Sequence, residues 1–204
     1  SCIVSSAIGD FPMIEEQMFN WFAGKRRIIS PFTVPRVSTS MAAGNIALEY
    51  GLTGVSFGLS SACATGSHSL ATAMMLLKSG QADVVLAGGA EAAICETFLQ
   101  SYIVMRALST RNDEPERASR PFDRDRDGFV IAEGCGVMVL ETLENAQRRG
   151  APILAELAGA GMTCDAFHIT SAHPDGLGAA QAMTAAMKSA GVTPEQVDYI
   201  NAHG

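Results

Sequence analysis

The sequence predicts an α/β protein built on parallel strands covered by helices on both faces. Three observations carry this. The stretch from Gly54 to Ala87 runs strand (Gly54–Leu59), helix (Ala64–Lys78), strand (Asp83–Ala87) with short links, which is a βαβ unit. The residues Val84-Val-Leu-Ala87 are apolar without alternation, as expected of a strand buried on both faces. Charged residues make up only 17% of the chain, below the usual quarter or so, so much of its surface is expected to be covered.

The elements follow in order. Ser1-Cys-Ile-Val-Ser5 has the look of the middle of a strand. Phe11–Phe22 carries Met13, Ile14, Met18, Trp21 and Phe22 at helical spacing opposite Glu15 and Glu16, and Gly24 stops this amphipathic helix. Pro31 and Pro35 mark a loop. Met41–Tyr50 reads as a helix capped by Thr39 or Ser40 and ended by Gly51. After the βαβ unit, Gly88-Gly-Ala-Glu91 reads as a tight corner and Ser109–Asp127 as a long structured loop. Phe129–Leu143 reads as a Gly-punctuated strand, Glu144–Arg149 as a short helix and Ile153–Met162 as a strand. Gly178–Ala190 reads as an Ala-rich helix, Thr193–Gln196 as a helical turn with Pro at its first position, and Val197–Ala202 as the last strand. The chain divides near Gly150, giving 1–150 and 151–204 as two halves.

Composition narrows the function. The 204 residues, 48% of them hydrophobic, suffice for a substantial core. A net charge of -7 argues against a broad nucleic-acid surface. No apolar run reaches the roughly 18 residues of a membrane span. Five widely spaced cysteines without a C-x-x-C pair read as reduced thiols, which points to the cytoplasm or another reducing compartment, and neither to a disulfide scaffold nor to a zinc site.

The chemistry is expected at Cys63. In Gly58-Leu-Ser-Ser-Ala-Cys63-Ala-Thr-Gly66, an apolar strand breaks into small residues around one thiol and continues as a helix. A thiol at such a corner faces unpaired N–H groups, which favour a thiolate and can hold a developing oxyanion. Ala62, Ala64 and Gly66 leave room for a carbonyl, as small residues do at a G-x-S-x-G elbow. The competing reading is a small buried hydrophobe.

Two motifs mislead. Asp123-Arg-Asp-Arg-Asp-Gly128 opens like a calcium loop, but its twelfth position is Gly134 where a bidentate carboxylate is required. Asp165, His168 and His173 share one loop, without a second cluster to complete a metal site. No metal is expected.

Ser61-Ala-Cys-Ala-Thr-Gly66, Asp83-Val-Val-Leu-Ala-Gly-Gly-Ala-Glu91, Arg106-Ala-Leu-Ser-Thr-Arg-Asn-Asp113, Ser119-Arg-Pro-Phe-Asp-Arg-Asp-Arg-Asp-Gly-Phe-Val130 and Asn201-Ala-His-Gly204 together resemble the β-ketoacyl-acyl-carrier-protein synthases, most nearly the elongating synthase II type. The resemblance covers essentially the whole chain. It implies a thiolase-like layered α-β-α-β-α fold, of which this chain holds most of the N-terminal half (1–150) and the start of the C-terminal half (151–204). It also implies a homodimer, and a decarboxylating Claisen condensation between an acyl group and malonyl carried on acyl carrier protein. By the same resemblance Cys63 is the nucleophile, and His203 is one of two histidines that polarise the malonyl thioester. Ile8 and Tyr102 then line the acyl pocket, and Thr170 lies near the pantetheine arm. Arg106 docks the carrier, with Lys25, Arg26 and Arg27 either adding to that patch or forming a solvated cluster. No cofactor is implied; 4'-phosphopantetheine arrives only on the carrier.

The resemblance has gaps. The second histidine, a neighbouring lysine and a Gly-rich Phe loop have no counterpart in these residues, so the chain reads as an internal portion with little condensing activity alone. Within Glu96–Met105 the family is commonly Gly-rich, whereas Phe98, Leu99 and Ile103 are bulky, which would shorten the acyl tunnel or reshape a dimer contact. Competing functions are a polyketide ketosynthase, a non-catalytic chain-length partner, which typically lacks the nucleophile, and a biosynthetic thiolase, which the Asn201–Gly204 motif disfavours.

Overall fold

Strand β1 (Cys2–Ser5) lies beside β2 (Val84–Glu91), which lies beside β3 (Gly134–Glu141). The first pair is parallel, with Ile3 opposite Ala87, and the second antiparallel, with Ala87 opposite Met138. These are coordinates of a computed structural model, which describes residues 1–203. The helices are α1 (Phe11–Phe22), α2 (Thr33–Val37), α3 (Met41–Tyr50), α4 (Thr65–Lys78), α5 (Glu96–Val104), α6 (Leu143–Arg148) and α7 (Leu177–Ala190).

Strand periodicity explains the layering. Side chains alternate across a sheet, so a strand apolar at every position must be covered twice. Ile3, Val85 and Ala87 are buried with Ala73 of α4, against which Leu59, Leu70, Leu77 and Leu140 also pack. Cys2 and Val4 are buried with Ala43 of α3 and meet Ile46, Leu52 and Leu86. The result is α3, sheet, α4. Burial pushes the Cys2 thiol pKa up.

Several elements form as the sequence predicts. α1 spans Phe11–Phe22, and the Asp10 carboxylate at its head accepts from the Met13 N–H at 3.0 Å. α3 ends at Gly51 in the left-handed region, φ 61°. Pro194–Gln196 forms a helical turn closed by a Thr193/Gln196 capping box.

Other expectations are corrected. Gly88–Glu91 is not a corner: it continues β2, because β1 and β3 pair with it on both sides. A Cβ on Gly88 would stand 2.0 Å from the Gly136 oxygen, so glycine there serves close strand approach. Gly54–Leu59 runs extended along β1 with a single parallel bridge, Cys2 to Ser56. The βαβ path survives, since α4 still carries the chain over β1 from this segment to β2. Phe129–Leu143 is regular strand only over Gly134–Glu141. The expected loop around Pro35 contains α2, and α3 has no side-chain cap from Ser40. Residues 153–162 and 197–202 have no strand partner among the described residues, and a ladder needs one. The former instead lies against α7, where a Cβ on Gly161 would meet the Ala182 oxygen at 2.1 Å.

Candidate active site

The corner at Cys63 is built from hydroxyl groups. After the extended segment, Ser61 turns the chain and Ala62 takes φ 51°, the left-handed region a residue with a Cβ avoids. Ala62–Ala64 forms a short 3-10 turn that runs into α4. The Thr65 hydroxyl donates to the Ala62 carbonyl at 2.7 Å and accepts from the Ser61 N–H at 2.9 Å, locking the twist. One turn on, the buried Ser69 hydroxyl contacts both the Thr65 carbonyl (2.9 Å) and the Ser5 hydroxyl (3.0 Å), and Ser5 accepts from the Leu59 N–H. Ser61 Oγ is 2.7 Å from His68 Nδ1. Polar groups this buried are kept only when paired, and each of these is.

Cys63 is therefore held by its backbone and left exposed. The Cys63 amide has no hydrogen-bond partner among the described residues and stands at the head of the 3-10 turn and α4. Such an N–H is available to a negative oxygen. Gly66 lies against Gly89, where a Cβ would come 3.4 Å from the Gly66 Cα, so small residues let the corner sit down on the sheet.

A cavity of about 480 Å³ opens beside the thiol. Ile8 and Tyr102, both expected from the sequence, line it with Cys63. So do Phe98, Glu91 and a second exposed thiol, Cys135. Glu91 clamps the wall: one carboxylate oxygen accepts from the Ser6 hydroxyl at 2.8 Å and the other from the Ala7 N–H at 2.9 Å. Ser6 Oγ in turn accepts from the Ile8 and Gly9 N–H groups, which folds the loop that carries Ile8.

The remaining expected residues lie elsewhere. His203 is exposed and does not line the cavity. Thr170 is exposed too, its N–H donating to His168 Nδ1 at 3.1 Å. Arg106 follows α5 with φ 54°, its N–H donating to the Ile103 carbonyl. Beyond the end of α1, Lys25 Nζ lies 4.7 Å from the centre of the Phe19 ring, Arg26 is 3.9 Å from Glu16, and Arg27 is exposed. The calcium-like aspartates serve the loop instead. Asp127 accepts from the Ser109 hydroxyl and the Thr110 N–H, with Arg111 nearby, and these hold its carboxyl below the usual range.

Sequence reasoning missed Ser5, Thr65, Ser69 and Glu91 as site builders, and named Phe98 only for bulk that would shorten the acyl tunnel or reshape a dimer contact. Signals existed: Thr65 and Ser69 are polar residues four apart in a helix whose other inward positions are apolar. Phe98 and Tyr102 are aromatics at the same spacing, and Glu91 is a lone charge ending an apolar strand.

Comparison with known proteins places this geometry. The chain is 48% identical over 201 residues to a 3-oxoacyl-[acyl-carrier-protein] synthase 2 of Vibrio cholerae, covering 98% of this chain and 49% of that protein. It is 44% identical to the chloroplastic 3-oxoacyl-[acyl-carrier-protein] synthase I of Arabidopsis thaliana, covering 98% and 42%. The chain thus spans about half the length of the curated relatives it matches. Among solved structures, a β-ketoacyl synthase from Burkholderia phymatum superposes with a TM-score of 0.90 at 33% identity, covering all of this chain and 49% of the other. A type II polyketide ketosynthase, solved with its acyl-carrier protein, superposes at 0.89 with 36% identity, covering 98% and 52%. The fold is that of these thiolase-like ketosynthases, in part. The profile of the beta-ketoacyl synthase N-terminal domain matches residues 1–146 and that of the C-terminal domain residues 154–204. The chain belongs to the beta-ketoacyl synthase family.

Proposed function

We propose that the protein is a β-ketoacyl-acyl-carrier-protein synthase of fatty acid elongation, an acyltransferase that condenses an acyl group with malonyl on acyl carrier protein. The observation that carries this is one exposed thiol at a hydroxyl-braced corner, opening into a cavity lined largely by apolar side chains. Cys63 sulfur attacks the acyl thioester, the carrier's pantetheine thiol leaves, and the acyl chain enters the cavity beside Ile8 and Tyr102. Malonyl carrier then loses carbon dioxide. The resulting enolate attacks the acyl-Cys63 carbonyl, expels the Cys63 thiolate and leaves a β-ketoacyl carrier. His203 is assigned to polarising the malonyl thioester, with Thr170 near the pantetheine arm; neither lines the Cys63 cavity. The two sequence halves, 1–150 and 151–204, belong to the two similar halves of the synthase fold.

The reaction needs no resident cofactor or metal in this reading, because decarboxylation itself supplies the carbanion. The carrier is the partner, met by Arg106 and by Lys25, Arg26 and Arg27, and the working unit is a homodimer. Support for a carrier comes from the relatives' names and from the polyketide ketosynthase solved with one. No helix among the described residues is long and apolar enough to cross a membrane. The cytoplasm or an organelle stroma suits carrier-bound substrates, and relatives come from bacteria and chloroplasts.

The test is mass spectrometry of the full-length protein with acyl carrier thioesters and malonyl carrier. Acyl transfer to Cys63, absent in Cys63→Ala, with carbon dioxide released, is the expected result. An adduct on Cys135 in place of Cys63 overturns the assignment. The similarity to the polyketide ketosynthase favours a second reading, extension of unreduced chains; repeated condensation on one carrier without reduction would select it.

A further inference from the structure

We propose that His68 is a positioning residue for Cys63, acting through the Ser61 hydroxyl. This deepens the function proposed above and rests on it for the reaction that Cys63 performs. The residue before the thiol, Ala62, is held at φ 51°, where its Cβ crowds the backbone. Such a conformation persists only where its surroundings over-determine it. Released, Ala62 returns to negative φ and swings the Cys63 amide and sulfur with it. The thiol then leaves the N–H groups at the head of α4 that favour its ionised form.

Two stitches oppose that return, and both tie the chain before the thiol to the helix after it. The first, at Thr65, grips the backbone of Ser61 and Ala62. The second grips the Ser61 side chain: its Oγ has one hydrogen-bond partner among the described residues, His68 Nδ1 at 2.7 Å. Either tautomer of the ring makes this bond, because a hydroxyl both gives and takes a hydrogen. His68 lies three residues along α4 from Thr65, on the same side of the helix, so the second stitch extends the first. Cys63 sits inside the loop that the bond closes. Neither Ser61 nor the half-buried His68 lines the Cys63 cavity, so the ring acts on the thiol through Ser61 and not on the substrate.

The experiment measures acyl transfer from a carrier thioester to Cys63 in the full-length protein, in Ser61→Ala, in His68→Leu and in the double variant. Alkylation of Cys63 by iodoacetamide serves as a second readout that needs no carrier. Each single variant should lower kcat by about five- to tenfold, the size of one hydrogen bond's net contribution, with KM for the carrier unchanged. The double variant should be no slower than either single one, since all three lose the same bond. Alkylation should slow in parallel. Ser61→Thr, which keeps the hydroxyl, and His68→Asn, whose amide offers a polar atom near the place of Nδ1, should lose far less. Single variants at the unsubstituted rate, or a double variant slowed by the product of the two effects, overturn the proposal. So does a loss that follows the urea midpoint and that His68→Asn fails to rescue. Should His68→Leu fail to fold by circular dichroism, Ser61→Ala against Ser61→Thr decides. Absence of any acyl adduct on Cys63 in the unsubstituted protein would overturn the function instead, while the alkylation series would still judge the pair.

Discussion

The two stretches of the molecule before and after Gly150 respond differently to the same kind of sequence. Val84–Ala87 and Ile153–Leu157 both fall in segments expected to be strands, yet the first is in a central strand with neighbours on both sides and the second has no ladder among the described residues. Val85 is fully buried, while Leu154 is 96% exposed. The lesson is that β structure belongs to pairs of segments. A helix closes its hydrogen bonds within itself, so α7 forms as the sequence predicts even where the neighbouring strands do not.

This contrast can be tested, beginning with its largest expected effect. In hydrogen exchange on the 204-residue chain, amides of β2 should exchange at least about a thousandfold more slowly than those of 153–162, since the central strand opens only with the whole core. Equal protection would show that the later segment is hydrogen-bonded as firmly as the central strand and would remove the contrast. Next in size, Ile3→Ala should cost about 2–5 kcal/mol in urea unfolding, and Leu154→Ala less than about 0.5 kcal/mol. A loss at Leu154 comparable with that at Ile3 would erase the distinction. Gly161→Val should cost about 1–3 kcal/mol, because its Cβ meets the backbone of α7. If it is tolerated, the segment is not seated on α7.

The smallest effect concerns acid. Hydrogen bonds from Thr97, with further ones from Glu96 and Cys95, hold the Glu15 carboxyl below its ordinary range. A lowered carboxylate pKa adds stability above its unfolded value, and that stability is lost as pH falls through the folded one. The link between α1 and α5 should therefore be intact at neutral pH and loosen in the acid range below the usual carboxylate pKa. In Glu15→Gln the unfolding midpoint should fall slightly at neutral pH and lose part of its decline with acid. Parallel acid profiles for the two proteins would remove the carboxylate from this role.

Much of the arrangement was legible beforehand because it is local. The spacing of Met13, Ile14, Met18 and Trp21 makes α1, Gly51 ends α3, and the small residues around Cys63 mark the corner. The site's frame was less legible because it is assembled from distant residues. Ser5 reaches Ser69 across 64 positions and Ser6 reaches Glu91 across 85, and no periodicity records such partnerships. Gly88 and Gly89 mislead for a related reason. Glycines suggest a turn when read alone, whereas here they admit the neighbouring backbones of β3 and α4.

The left-handed twist at Ala62 has a practical consequence. The groups that fix it, Thr65, Ser69 and Ser5, are braced from beneath, so the exposed sulfur of Cys63 is positioned through its backbone. An electrophilic drug fragment that caps Cys63 would then plug the cavity beside it while leaving the architecture intact. Cys2, sealed in the core, would keep its thiol under the same treatment.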